Sequence, residues 1–246
     1  MKWNIGCSGF SYKEWKEVFY PSKLPSREWF RYYSSRFSTL ELNFTFYRFP
    51  RVPLLQNWYE KSPGNFSFAV KAPRLITHYK QLNDCERYLT DFYTVCREGL
   101  KEKLGPLLFQ FPSRFIYTKE NLQRIVANMN PSFINTVEFR HASWWDKKVY
   151  AVLKKHNIIF CGMSYPGLPD DVTRTTDTIY YRFHGLEKLY YSTYDEVVLR
   201  KTADAILQQK NVKEVYCYFN NTAESGAIEN AFWLEEYIMP ETSCLV

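Results

Sequence analysis

Short apolar runs, rich in β-branched and aromatic residues, recur along the chain between longer stretches whose apolar residues fall three and four apart. The runs near Trp3–Cys7, Thr39–Asn43, Phe66–Lys71, Pro106–Gln110, Asn135–Arg140, Ile158–Met163, Thr178–His184 and Val215–Asn221 are bounded by Gly, Pro or Asn and read as eight strands. Their starts lie roughly 30 residues apart, the size of one βα repeat. The intervening stretches read as helices. Ser26 precedes Arg27–Phe37, with Trp29, Phe30, Tyr33 and Phe37 on one face, and Asp84 opens the longest segment, with Leu89, Phe92, Cys96 and Leu100 in helical period. Thr118, Ser143 and Thr193 are suited to cap helices, Thr193 forming a capping box with Glu196, and Ile228, Phe232, Leu234 and Ile238 mark a last helix. Tyr165–Asp177 carries Pro166, Gly167 and Pro169 and is too short and broken for a full crossover helix.

Eight alternating units in 246 residues predict an α/β fold, a single (βα)₈ TIM-like barrel over residues 1–246, with the helix between strands six and seven reduced to a loop. A doubly wound sheet is the alternative. Against it, Gly6-Cys7-Ser8-Gly9-Phe10 after the first strand lacks the dinucleotide-binding fingerprint.

Composition changes this picture little. Apolar residues make up 46% and charged residues 24%, as expected for a folded chain, and only the aromatic share of 19% is high. The charge is uneven: residues 1–124 hold 20 Lys and Arg against 11 Asp and Glu, residues 125–246 hold 12 against 15. A basic half admits a nucleic-acid or other anionic partner, although no dedicated basic run exists. The six cysteines show neither CxxC nor zinc-finger spacing, no signal-like stretch opens the chain, and no 18-residue apolar run exists. A cytoplasmic protein without a membrane partner is expected. Cys244 stands one place short of a prenylation position.

Candidate chemistry lies where the strands end. Residues two apart on a strand share a face. Glu41 therefore points with Asn43, Lys71 with Ala69, Glu138 with Arg140, and Arg182 with His184; Gln110 ends strand four, and Asn220 and Asn221 end strand eight. In a barrel these groups face inward at the C-terminal mouth, where such folds place their sites. Inward charges on so many strands cost several kcal/mol each unless paired or solvated. A ligand site fits them, and so does an ion-pair layer of Glu138 and Arg140 closing the barrel top. Glu41, Lys71, His78, Glu138 and His184 are the candidate catalytic residues. Asn43, Tyr47, Arg48, Gln110, Arg140, Trp144, Arg182, Asn220 and Asn221 are the candidate ligand-binding residues.

Several blocks resemble the YecE-like family, a domain of unknown function. They include Gly6-Cys7-Ser8-Gly9-Phe10-Ser11-Tyr12, Leu40-Glu41-Leu42-Asn43-Phe44-Thr45-Phe46-Tyr47-Arg48-Phe49-Pro50 and Phe68-Ala69-Val70-Lys71 with Ile76-Thr77-His78. Leu104–Pro112, Val137-Glu138-Phe139-Arg140, Tyr181-Arg182-Phe183-His184-Gly185 and Tyr218-Phe219-Asn220-Asn221 follow in order. The resemblance implies a (βα)₈ barrel and carries no catalytic role with it. The family often has an Asp at the end of strand six, where this chain reads Cys161-Gly162-Met163-Ser164 and Ser164 takes that place. A mechanism that needs a carboxylate from that strand is thereby set back.

Four functions follow. The first is an enzyme acting on a small anionic or sugar-like substrate by acid–base chemistry. Glu41 or Glu138 serves as base, His184 or His78 carries protons, and Lys71, Arg140 and Arg182 hold negative charge. The second is a nucleic-acid-binding or nucleic-acid-processing barrel. In the third, a divalent metal is held by Glu41, His78, Glu138 and His184, with Lys71 and Arg140 competing for the same carboxylates. The fourth is a ligand sensor without chemistry. No cofactor is expected.

Overall fold

Every one of the eight expected strand segments forms, and every pairing among them is parallel. The computed structural model describes residues 1–239, so Cys244 lies outside the described residues. The strands are β1 Lys2–Cys7, β2 Thr39–Leu42, β3 Ser67–Lys71, β4 Leu104–Gln110, β5 Asn135–Glu138, β6 Ile159–Phe160, β7 Gly162–Ser164, β8 Thr178–Phe183 and β9 Glu214–Phe219. The expected sixth strand is thus two. Its first half pairs with β5 and ends on the bond from Cys161 N–H to the Val137 carbonyl (2.9 Å); from Gly162 onward it pairs with β8. One extended segment changes partner at Cys161.

Hydrogen bonding divides the strands into two sheets, in the orders β1-β9-β8-β7 and β2-β3-β4-β5-β6. On one side β6 runs on into β7. On the other, a bridge joins Ser8 to Glu41, and Gly9 N–H donates to the Glu41 carbonyl at 3.0 Å. That turn needs Gly9, whose φ is +97° and whose added Cβ would meet the Tyr12 hydroxyl at 2.6 Å.

Strand alternation sorts the side chains into two cores. Phe68, Val70, Leu107, Phe109, Tyr181, Phe183, Val215 and Cys217 join the large core, which also takes up Trp29, Phe30, Tyr33, Phe92 and Leu234 from the helices. Ala69, Leu108, Ile159, Cys161, Tyr180, Tyr216 and Tyr218 form a separate small core. Lys71, Gln110, Arg182 and Asn220 each stand two residues past a member of the small core, so they share its face.

The helices are α1 Trp29–Arg36, α2 Phe44–Tyr47, α3 Val52–Lys61, α4 Glu86–Leu100, α5 Lys119–Asn128, α6 Lys147–Lys155, α7 Glu196–Leu207 and α8 Gly226–Ile238. Thr118 caps as expected, its hydroxyl accepting from Asn121 N–H at 3.0 Å. Other starts move. Ser26 begins a 3₁₀ turn, and Asp84 sits at φ +44° ahead of α4. Asp146, not Ser143, caps α6, accepting from Lys148 N–H at 2.7 Å. Asp195, not Thr193, caps α7, accepting from Val198 N–H at 2.9 Å. An aspartate one residue before the first turn reaches the free N–H groups that the upstream Ser and Thr cannot. Residues 165–177 hold no helix, as their Pro and Gly residues predict, and the stretch expected to be helical between β2 and β3 forms the short α2 and then α3, of which Leu55 is buried.

Candidate functional site

The shared strand face collects the ionisable residues at the strands' carboxyl ends. Glu41 arrives on β2, Lys71 ends β3, Gln110 ends β4, Glu138 ends β5, Arg182 lies on β8 with His184 just beyond, and Asn220 follows β9. Arg182 is the hinge of this set. Its Nη2 donates to Glu41 Oε1 and its Nη1 to Glu138 Oε2, each at 2.7 Å, and all three side chains are 0% exposed. Glu41 is further held by Ser8 Oγ (2.6 Å) on Oε1 and by the Tyr180 hydroxyl (2.5 Å) on Oε2. Glu138 Oε1 meets Arg140, and Cys161 Sγ–H points at Oε2 from 3.6 Å. Such charge-assisted bonds offset the desolvation of groups this deep.

The electrostatics follow from that packing. Burial pushes the Glu138 carboxyl up, but Arg140 and Arg182 outweigh it and hold the group well below the usual carboxylate range. Burial, with Arg140 and Arg182, drives His184 well below the ordinary histidine value. His184 is therefore neutral. Its Nε2 lies 3.1 Å from Arg140 Nη2, 3.4 Å from Arg182 Nη1 and 3.7 Å from Glu138 Oε2. Its Nδ1 lies 2.9 Å from the Asn220 side-chain amide nitrogen Nδ2. Burial and Glu41 keep the Tyr180 hydroxyl protonated, as a donor must be.

Over this layer opens a cavity of about 540 Å³, into which Lys71, His78, Gln110, Arg140, Phe46 and Tyr165 face. Its formally charged lining residues are Lys71 and Arg140. Lys71 Nζ rides 4.4 Å from the Phe46 ring centroid, and burial, reinforced by Arg182, pulls its amine down to about 7. Arg140 stacks 4.1 Å from the Tyr165 ring centroid, and its Nη1 is buried with no partner among the described residues. His78 is carried on a single π-helical turn, Leu75–Tyr79, with Nδ1 2.9 Å from Thr77 Oγ1 and Nε2 3.5 Å from Gln110 Nε2. Burial and then Lys71 lower it to about 4, so it too is neutral.

The expected site residues divide accordingly. Lys71, His78, Gln110, Arg140 and Tyr47 line the cavity. Glu41, Glu138, Arg182, His184 and Asn220 form the layer beneath. Glu41 and Glu138 lie in that layer and not in the cavity lining, with guanidinium and hydroxyl groups against their oxygens. Nor do Glu41, His78, Glu138 and His184 assemble a divalent-metal site. Those carboxylates are engaged, His184 Nε2 faces two guanidiniums, and among the described residues no three His, Cys, Asp or Glu side chains gather as a metal-binding group. Asn43 and Tyr47 border a neighbouring hollow of about 440 Å³, whereas Arg48 is exposed outside both spaces.

Two expected ligand-binding residues lie buried away from the cavity lining. Trp144 is fully buried, stacked on Phe139 at 3.9 Å, and donates from Nε1 to the Phe115 carbonyl at 2.7 Å. Asn221 is fully buried and donates to the Ser192 carbonyl and to Asn230 Oδ1, tying the turn after β9 to α8. Tyr180, Ser8, Phe46 and Tyr165 were not singled out as site residues. Alternation marks Tyr180, two residues before Arg182; the others lie past the strand ends, Phe46 within α2, where strand parity does not determine direction.

A parallel α/β fold with a charged layer under a basic cavity defines the class of protein. The chain belongs to the family described as protein of unknown function DUF72, whose model matches residues 4–244. The UPF0759 protein YunF of Bacillus subtilis is 27% identical over 259 residues, covering 92% of each chain. The UPF0759 protein YecE of Escherichia coli is 28% identical over 116 residues, 47% of this chain and 42% of that one. A DUF72 family protein from Thermotoga maritima, known from its crystal structure, superposes with a TM-score of 0.88 at 30% identity, covering 97% of this chain and 99% of its own. Among the described residues no helix is long and apolar enough to cross a membrane.

Proposed function

We propose that the two sheets act as one closed (βα)₈ barrel domain over residues 1–246, and that the protein is an enzyme for a small anionic, hydroxylated substrate bound over the strand ends. Lys71 is its base and Arg140 its anion anchor. The closure is supported by the Ser8–Glu41 bridge at one junction and by β6 running into β7 at the other. One observation carries the functional reading: the charged residues lining the cavity are Lys71 and Arg140, while the carboxylates are locked beneath by Arg182. A cavity of that sign attracts anions, and its aromatic walls suit the faces of a sugar ring. A lysine near 7 is shared between base and acid at neutral pH, the range in which proton transfer is most effective.

The test is calorimetric titration with inorganic phosphate, phosphorylated sugars and dicarboxylates. Binding is expected, weakened about 10-fold or more in Arg140→Gln, consistent with loss of a charge-assisted contact worth roughly 1.5–3 kcal/mol. No binding of any anion overturns the reading. Binding without turnover of any bound compound favours the sensor.

A nucleic-acid reading has its own observation. Arg74 lies between the rings of Tyr47 and Tyr79, 5.7 and 5.5 Å from their centroids, and these tyrosines are 67% and 64% exposed. Such a basic, aromatic rim suits phosphates and unstacked bases. Binding to single-stranded DNA or RNA that weakens steeply with salt supports it, and no binding at low salt ends it. A reducing, cytoplasmic setting is proposed from the five buried free thiols Cys7, Cys85, Cys96, Cys161 and Cys217.

A further inference from the structure

The buried Lys103 and the half-buried Lys71 are treated in opposite ways. Lys103 Nζ donates to the Tyr59 carbonyl (2.7 Å), the Ser62 carbonyl (2.9 Å) and Ser62 Oγ (2.9 Å), so all three of its donors are used. Lys71 Nζ has no hydrogen-bond acceptor and no carboxylate within ion-pair distance among the described residues. It rests over the Phe46 ring and opens to the cavity. Its backbone is held, since the Thr45 hydroxyl donates to the Lys71 carbonyl at 2.6 Å. Across the same cavity Arg140 keeps a buried Nη1 without a partner. An amine free of acceptors shares the cavity with a guanidinium that pairs Glu138 through Nη2 and leaves Nη1 open.

We propose that Lys71 forms a Schiff base with a small aldehyde or ketone that carries a carboxylate or phosphate, the anion seated on Arg140. This rests on the reading of the cavity as an anion site. The neutral amine adds to the carbonyl carbon, and the proton leaving nitrogen passes through solvent to the new hydroxyl. The carbinolamine hydroxyl then takes a proton from solvent and leaves as water as the nitrogen lone pair forms the C=N bond, giving the protonated imine. Nothing is oxidised or reduced. The iminium so formed withdraws electrons from the neighbouring carbon, the use to which lysine imines are put.

The experiment is reductive trapping of the full chain with glyoxylate and cyanoborohydride at pH 7, read by intact mass and peptide mapping. The expected result is a dominant single adduct on Lys71, formed about 10-fold or more faster than on surface lysines, whose amines are almost wholly protonated at that pH. Lys71→Arg should lose the adduct, and inorganic phosphate should slow it in the wild type. Labelling of Lys71 no faster than the surface lysines overturns the Schiff base, and this comparison needs no variant to fold. Equal labelling by glyoxylate and by uncharged propanal overturns the anionic substrate class. Phosphate that binds without any preference for labelling Lys71 leaves the anion site standing and the imine refuted.

Discussion

Arg182 touches Glu41 through one terminal nitrogen and Glu138 through the other, at 2.7 Å in both cases, so one guanidinium ties β8 to β2 and to β5. The three groups belong to different strands and share one buried layer. Neither carboxylate is held by this arginine alone: Ser8 and Tyr180 also donate to Glu41, and Arg140 also meets Glu138.

Arg182→Met should therefore be severely destabilising. It leaves two buried carboxylates short of their common partner, a change that costs about 3–5 kcal/mol. For a chain of this size that corresponds to a fall in melting temperature of roughly 2–4 °C per kcal/mol. Urea denaturation of the variant measures it. A loss under about 1 kcal/mol would mean that Ser8, Tyr180 and Arg140 hold the layer without Arg182.

Acid should unfold the protein in two stages. His184 binds its proton less readily folded than unfolded, so its contribution to stability is full above the ordinary value of 6.5 and is lost as pH falls below it. Glu138, also lowered by folding, contributes above its ordinary value of 4.5, and that share is lost as pH falls toward its depressed folded value. His184→Gln should flatten the stability curve between about pH 6.5 and 5, by up to about 1.4 kcal/mol per pH unit for one proton. Denaturant midpoints across that range decide it; an unchanged slope rejects the assignment.

Lys71 should titrate near neutrality. Competitive acetylation followed from pH 5 to 11 should give it a midpoint about 7, because burial and Arg182 disfavour its charge. The ordinary value for a lysine amine is about 10.4. Arg140→Gln should raise the Lys71 midpoint, since Arg140 also opposes that charge. A midpoint above 9 in the wild type removes Lys71 as a base at pH 7.

Trp144→Ala should weaken the fold and spare the cavity. The indole fills the space against Phe139 and Phe115 and satisfies the Phe115 carbonyl. Its removal should cost about 3–5 kcal/mol. Anion affinity at temperatures where the variant is folded should stay within about 2-fold, a difference of under 0.5 kcal/mol. A large loss of affinity would return Trp144 to the site.

What the chain determined by itself is local and periodic. Strand positions and the parity that sets Lys71 with Ala69, Gln110 with Leu108 and Arg182 with Tyr180 depend only on the two-residue repeat of an extended backbone. Period and composition sufficed for them, and so did the Pro and Gly residues that leave 165–177 without a helix. The tertiary structure decided which inward groups meet. Glu41 and Arg182 stand 141 residues apart and Glu138 and Arg182 44 apart, and no local rule states that a guanidinium will fall between those two carboxylates. That juxtaposition turned the expected bases into a buried layer and left Lys71 facing the cavity. Turns behaved likewise. Trp144 and Trp145 are adjacent in sequence, yet the 3₁₀ turn Ala142–Trp144 drives the first into the core, because a turn's exit direction depends on what packs beneath it. Periodicity assigns a residue to a face, and only the partners brought across that face decide whether its charge is neutralised or left open to a ligand.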